Sequence, residues 1–330
     1  MSLKNEIKPQ THTHMNPRKT LQAGALGTLL LAPSVHGATA EVTKSGSNYI
    51  VRVDGVQTLS TTDYAAALQD AAGIGNRTMN VRVQGDWNSQ VRMRTTSSFN
   101  YLTTSYSYAR TTGPALYSYK SGGIQINGLI LLGYPAFGIR LSSCGSPRIT
   151  NTTVDCRNTT APAVAIRIDS EGSTRTTGLY ARTVKVMNMV SGDKQGFETY
   201  SIDGYDLSGM DGSSLGGCGV LINDGRSGTI GTAKSYDCGK GTTYAGLRFA
   251  NNCAGATVSD CNSSSSARGL FILNSANVTV NKVTINNCRT DSIWIQNGSN
   301  DRVSSGTVTG GPRPVITNSP GSSINVTYTP

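Results

Sequence analysis

A short pattern of small, apolar, variable, apolar and variable positions, closed by Ser, Asp or Asn, recurs along the chain. It reads Gly138-Ile-Arg-Leu-Ser-Ser143, Ala165-Ile-Arg-Ile-Asp-Ser170, Gly196-Phe-Glu-Thr-Tyr-Ser201 and Gly219-Val-Leu-Ile-Asn-Asp224. It continues as Gly246-Leu-Arg-Phe-Ala-Asn251, Gly269-Leu-Phe-Ile-Leu-Asn274, Ser292-Ile-Trp-Ile-Gln-Asn297 and Pro314-Val-Ile-Thr-Asn-Ser319. The first apolar residues, Ile139, Ile166, Phe197, Val220, Leu247, Leu270, Ile293 and Val315, are 27, 31, 23, 27, 23, 23 and 22 residues apart. Leu116 and Val91 extend the series backwards at 23 and 25. Alternation of period two is the mark of a strand with one buried face, and a recurrence of this length is the mark of a solenoid. The expectation is an all-β chain of about ten stacked coils, each of about 23 residues.

Within one coil, Ile139 and Leu141 face inward and Arg140 and Ser142 outward. The Ser, Asp or Asn that follows each strand suits a tight corner, because these side chains bond locally and Asn and Asp tolerate the left-handed backbone region. Stacked Asn251, Asn274 and Asn297 could form an amide ladder. A second strand is expected in segments such as Val278–Val280 and Val283–Ile285. A single coil cannot bury its own apolar face, so stacking makes the core and the open ends need covers. Residues 61–72 hold the best helix, Tyr64–Ala72 after an N-cap signal at Thr61–Asp63, and are expected to cap the first coil.

Composition adds a cellular setting. Only 15% of residues are charged, 37% are hydrophobic, and Gly contributes 38 of 330, which favours many tight turns around a real core over disorder. Arg18 and Lys19, an apolar run from Leu21 to Leu31, and Ala38-Thr39-Ala40 form the three parts of an export signal. The expected organisation is an upstream extension or tag over 1–14, a signal peptide over 15–40, and one β-helix domain over 41–330 of a secreted monomer. The formal charge of +10 falls to +7 without residues 1–40, which hold four of the 29 cations and one of the 19 anions. Seven cysteines in an exported chain suggest disulfides. Cys238, Cys261 and Cys288 belong to consecutive coils, where the rung spacing permits a Cys238–Cys261 or Cys261–Cys288 bridge; a stack of buried thiols is the alternative.

The outward positions form two columns: Arg92, Tyr117, Arg140, Arg167, Glu198, Leu221, Arg248, Phe271 and Trp294, then Arg94, Tyr119, Ser142, Asp169, Tyr200, Asn223, Ala250, Leu273 and Gln296. Arginine forks bind carboxylates and aromatic faces pack on sugar rings, so the face suits a linear anionic polymer unless a loop covers its apolar members. Arg140, Arg248, Tyr117, Asn223, Phe271 and Trp294 are the expected substrate contacts. Asp169 and Glu198 lie in adjacent coils offset by two positions, which separates their backbones by roughly 8 Å, within the range of an inverting glycosidase pair. In elimination from a uronate, arginines such as Arg167 would neutralise the carboxylate, with Lys194 or Tyr200 as base and a calcium ion held by Asp169 and Glu198. The same residues could instead form cross-strand ion pairs, Arg167 with Glu198 and Arg140 with Asp169.

The cap helix, the Gly-Ile-x-Ile strands and the Asn/Ser corners over roughly residues 50–320 resemble the pectate lyase/polygalacturonase superfamily of right-handed, single-stranded parallel β-helices. That resemblance implies extracellular cleavage of pectin, alginate or related polysaccharides. The superfamily's catalytic motifs are not reproduced: Asn151-Thr152-Thr153 lacks the Asp of Asn-Thr-Asp, and Lys194-Gln195-Gly196 stands where Gly-His-Gly belongs. Arg167-Ile168-Asp169 has Asp in place of the Lys of Arg-Ile-Lys. The three histidines, His12, His14 and His36, all precede the expected cleavage site, so the mature chain has no histidine mechanism. The expected function is a secreted lyase for an acidic, uronate-containing polysaccharide. The alternatives are an inverting glycoside hydrolase using Asp169 and Glu198, and a non-catalytic binding or adhesin β-helix. Neither nucleic acid nor a membrane is expected as partner, and calcium is the one cofactor considered.

Overall fold

The computed structural model describes residues 37–73, 77–94, 96–100, 103–106, 113–134, 136–157, 163–172, 174–190 and 192–330. The expected extension and most of the export signal lie outside these residues. Ala38, Thr39 and Ala40 open the strand Ala38–Ser45, with Ala40 fully buried.

From Val91 onward each coil gives one strand to a ten-stranded parallel sheet that follows chain order, so the chain makes about nine turns. Its strands include Pro114–Tyr119, Phe137–Ser142, Val164–Asp169, Gln195–Tyr200, Val220–Asn223, Ala245–Ala250, Arg268–Leu273 and Ile293–Gln296. The opposite wall belongs to a nineteen-stranded sheet with long strands such as Asp206–Leu215, Thr229–Cys238, Thr257–Ser264 and Thr279–Asn286. A third line of parallel pairing runs Asp203, Arg226, Ala254, Ala276, Ser299. Inward residues of the two sheets, among them Ile139, Leu141, Ile166, Ile168, Phe197, Ile222, Phe249, Val186 and Leu215, form one continuous core. Each contributes roughly 1.5–3 kcal/mol by burial.

The register is the one read from the alternation. Arg92, Tyr117, Arg140, Arg167, Glu198, Leu221, Arg248, Phe271 and Trp294 are successive partners across the ten-stranded sheet. Only the last coil slips: Val315 pairs with Trp294 rather than Ile293, and Val315 and Ile316 are both exposed. That coil ends the stack, so no following rung buries its apolar residues and fixes their facing.

The small residue of the motif has a steric cause. A Cβ on Gly138, Gly196 or Gly219 would lie 2.6–2.7 Å from the carbonyl oxygen of Ala165, Gly219 or Gly246 on the next coil. The corner residues Ser143, Ser201, Asp224, Asn251, Asn274 and Asn297 have φ between 49° and 57°, in the left-handed region. The corner amides bond as Asn251 Nδ2 to Asn223 Oδ1 (3.0 Å) and Asn318 Nδ2 to Asn297 Oδ1 (3.4 Å). The expected Asn251–Asn274–Asn297 ladder is not formed among the described residues: Asn251 bonds to Asn223 and Asn297 to Asn318 instead.

The cap contains the expected helix and more. Helix α1 (Tyr64–Ala72) is N-capped by Asp63, whose Oδ1 accepts from the Ala66 N–H at 3.1 Å. It buries Tyr64, Ala65, Ala67, Leu68, Ala71 and Ala72. An antiparallel meander, Ala38–Ser45, Asn48–Val53 and Val56–Thr61, precedes it. Its second turn is Asp54-Gly55, with φ of 49° and 83°, the two positive values a two-residue hairpin of type I′ needs. Ala38–Ser45 then pairs in parallel with Arg77–Val81, which joins the cap to the solenoid.

All seven cysteines are buried free thiols, so the expected bridges are not formed. Register explains this. Ala233 pairs with Cys261, and Cys261 with Val283. Continuing the same pairing, Cys238 falls opposite Ser266, whose hydroxyl accepts its N–H at 3.2 Å. Cys238 and Cys261 are therefore five residues out of step, as are Cys261 and Cys288. Burial pushes the thiols of Cys218 and Cys288 up to about 11 and those of Cys156 and Cys261 to about 12, which makes them unreactive. Among the described residues no helix is long and apolar enough to cross a membrane.

Candidate functional site

The outer face of the ten-stranded sheet divides into three patches. At its centre Asp169 and Glu198 are both nearly buried, at 2% and 6% exposure. Arg140 Nε donates to Asp169 Oδ2 at 2.9 Å, and Arg167 Nε lies 3.0 Å from the same oxygen. The Nη1 of Arg167 is 3.6 Å from Glu198 Oε2, so one guanidinium stands between the two carboxylates. Arg140 also reaches Glu171 Oε1 at 3.1 Å. Strand register produces this arrangement: Arg140 pairs with Arg167, Arg167 with Glu198, and Asp169 with Tyr200.

The two carboxylates differ in environment. Burial pushes the Glu198 carboxyl above its ordinary range; Arg167 opposes the rise, Asp169 and Asp193 add to it, and a hydrogen bond with Asn223 lowers it. Asp169 Oδ2 is held by the arginines, whereas its Oδ1 is buried with no hydrogen-bond partner among the described residues. An acceptor in that state requires a donor from water or ligand. Pairs of titratable groups in contrasting environments are what acid–base chemistry uses.

Tyr200 is 41% exposed beside the pair, with the Arg167 guanidinium carbon 5.4 Å from its ring centre. Lys194 is half-buried, and among the described residues its ammonium makes no ion pair with the carboxylates. The structure therefore brings together Arg140, Arg167, Asp169, Glu198, Tyr200 and Asn223, and leaves Lys194 aside. The calcium expectation does not fit this donor set. Two guanidiniums sit on Asp169 Oδ2 and repel a cation at that carboxylate, and among the described residues no three histidine, cysteine or acidic groups converge.

Toward the C-terminus the face changes character. Leu221 and Ala250 pack with Cys218 under Tyr244, whose hydroxyl is 3.3 Å from Asp193 Oδ2. The Arg248 guanidinium lies 4.1 Å from the Tyr244 ring and 5.1 Å from Phe271. Phe271 stacks on Trp294 at 5.0 Å, and Arg268 packs on both while pairing with Asp291 at 2.9 Å. Phe271 is thus enclosed rather than an open sugar platform, which corrects its expected role; Arg248, the strand-edge Arg268 and Trp294 supply the cover. Trp294 stays half-buried, with Nε1 donating to Thr317 Oγ1 at 3.2 Å.

Toward the N-terminus, Arg92, Met93, Arg94, Tyr117, Ser118 and Tyr119 line a cavity of about 220 Å³. Glu171, Asp193, Tyr244 and Arg268 escaped the sequence reading because they lie on turns or strand edges, outside the period-two columns. The nearness of Glu171 to Asp169 was the one signal available.

A family model described as "right handed beta helix region" matches residues 193–328. No curated protein sequence matches the chain. Among solved structures, the enzymatically active domain of tailspike protein 2 from bacteriophage CBA120 aligns with a TM-score of 0.55 and 11% identity, over 81% of this chain and 44% of that one. Full-length tailspike protein 2 from an Escherichia coli O157:H7 bacteriophage aligns with a TM-score of 0.59 and 11% identity, over 80% and 40%. The chain spans less than half the length of these proteins. The fold is the right-handed parallel β-helix that pectate lyase-like enzymes share.

Proposed function

We propose that this chain is a secreted glycoside hydrolase that acts on a polysaccharide laid along the outer face of the ten-stranded sheet. Glu198 serves as the general acid and Asp169 as the partner carboxylate. The observation that carries this reading is the Glu198 carboxyl, buried with a raised pKa in the coil next to Asp169. A carboxyl whose pKa is raised keeps its proton to higher pH, and can give it to a leaving glycosidic oxygen. The free Oδ1 of Asp169 is suited to accept a proton from the attacking water, while Arg140 and Arg167 fix the other oxygen.

This reading prefers hydrolysis to the elimination expected from sequence. Elimination needs cations free to neutralise a uronate. Here Arg140 and Arg167 are already matched by Asp169, Glu171 and Glu198, and Lys194 is not engaged as a base beside them. Arg248, with no carboxylate partner among the described residues, lies two rungs from Glu198 and is suited to bind substrate rather than to activate it.

The test is incubation with polygalacturonate, alginate, rhamnogalacturonan and neutral glucans. Both new reducing ends and the ultraviolet absorbance of an unsaturated uronate are followed. Reducing ends without absorbance support hydrolysis; absorbance on any polymer overturns it in favour of a lyase; and binding without either product overturns it in favour of a non-catalytic binder.

A further inference from the structure

Beyond the central carboxylates, the face carries a second concave feature whose chemistry differs from theirs. Arg92 and Arg94 are both exposed, and among the described residues neither guanidinium has a carboxylate partner. Beside them the rings of Tyr117 and Tyr119 stack at 6.4 Å with an interplanar angle of 13°. Tyr119 is 41% exposed, and Lys120 Nζ lies 5.0 Å from its ring centre. The cavity they line, about 220 Å³, holds a volume on the scale of a single sugar residue rather than a whole oligosaccharide.

We propose that this pocket is a subsite for an anionic sugar unit, with the Arg92 and Arg94 forks taking its carboxylate or sulfate oxygens and the tyrosine rings packing on its carbon face. The proposal rests on the reading of the ten-stranded face as a polysaccharide track, but not on hydrolysis. Three observations support it. The arginines nearest the carboxylates are internally neutralised, so their forks are not open to a substrate anion. A planar fork binds an oxyanion through two parallel bonds, which a free guanidinium can offer and a paired one cannot. Third, Arg92 and Glu198 share one column, four rungs apart through Tyr117, Arg140 and Arg167. At a rung spacing of about 4.8 Å this is roughly 19 Å, so only a polymer reaches both, and the anionic unit read by the pocket lies several residues from the bond at Glu198.

The experiment is affinity electrophoresis of the full chain through gels containing polygalacturonate, dextran sulfate or neutral dextran. The wild type, Arg92→Gln/Arg94→Gln and Arg52→Gln/Arg302→Gln proteins are compared, with thermal melting as the check that all three are folded. The pocket predicts retardation of the wild type by an anionic polymer and not by dextran. It predicts roughly tenfold weaker retention for the Arg92/Arg94 double variant, and retention like the wild type for Arg52→Gln/Arg302→Gln, which removes the same charge from the nineteen-stranded sheet. Retardation by polygalacturonate alone assigns a carboxylate, and by dextran sulfate alone a sulfate. Unchanged retention of the Arg92/Arg94 variant, an equal loss in the Arg52/Arg302 variant, equal retention on neutral dextran, or no retention of the wild type on either anionic gel overturns the proposal. Because binding is read without turnover, a chain that cleaves nothing yet loses retention with the two arginines upholds the pocket while refuting hydrolysis.

Discussion

Arg167 and Glu198 face each other on adjacent rungs of the ten-stranded sheet, with Nη1 3.6 Å from Oε2. The same guanidinium reaches Asp169 at 3.0 Å, so one cation compensates two nearly buried carboxylates. Removing one member of a buried ionic group costs more than the pair itself contributes, because the remaining charge is left desolvated.

Arg167→Leu is therefore expected to lower stability by roughly 3 kcal/mol, read as a shift in the urea midpoint. It also removes an influence that holds the Glu198 carboxyl down, so the alkaline limb of the activity profile moves to higher pH. A variant as stable as the wild type, or a limb shifted to lower pH, contradicts this account of Arg167.

The steric origin of the small-residue column gives a second expectation. A Cβ at Gly219 would meet the Gly246 carbonyl oxygen at 2.7 Å, whereas one at Gly122 would meet nothing within 4 Å. Gly219→Ala is expected to destabilise by about 1–3 kcal/mol, the usual cost of overpacking. Gly122→Ala is expected to leave the urea midpoint nearly unchanged. Equal effects would mean that coil spacing adjusts freely.

Asp301 gives a pH-dependent expectation outside the site. It is fully buried, its Oδ1 accepts the Val278 N–H at 2.9 Å, and its Oδ2 has no partner among the described residues. Burial raises its carboxyl to about 6, the backbone N–H groups of Val278 and Ser299 opposing. An unfolded aspartate releases its proton near 3.9. Between these values the native chain binds more protons, so Asp301 stabilises it most at low pH, and this contribution is lost as pH rises through about 6. The stability of wild type relative to Asp301→Asn should fall between about pH 4 and pH 6 and then level off. Denaturant melts at several pH values measure the difference, and a constant one contradicts the assignment.

Much of this architecture was legible in the sequence because a solenoid converts sequence separation directly into register. Ile139, Ile166 and Phe197 are partners at the spacings their alternation implied, and the ion pairs of Arg140, Arg167, Asp169 and Glu198 follow from those columns. What the columns could not carry lies between strands. Turn lengths vary from coil to coil, which moved Cys238 and Cys261 out of step. Turn and edge residues such as Glu171, Tyr244 and Arg268 have no period to reveal them, so the cover that Tyr244 gives Leu221 and Arg268 gives Phe271 was hidden. The antiparallel meander of the cap belongs to no repeat.

The most direct measurement is cleavage of the responsive polymer by Glu198→Gln beside the wild type, reading reducing ends across pH. A general acid contributes about a hundredfold or more to rate, so the variant should lose at least that much while remaining folded. The wild type should lose activity as pH rises through the raised pKa of Glu198. A folded Glu198→Gln protein that cleaves within a few-fold of the wild type, with the same pH profile, would show that Glu198 is not the acid.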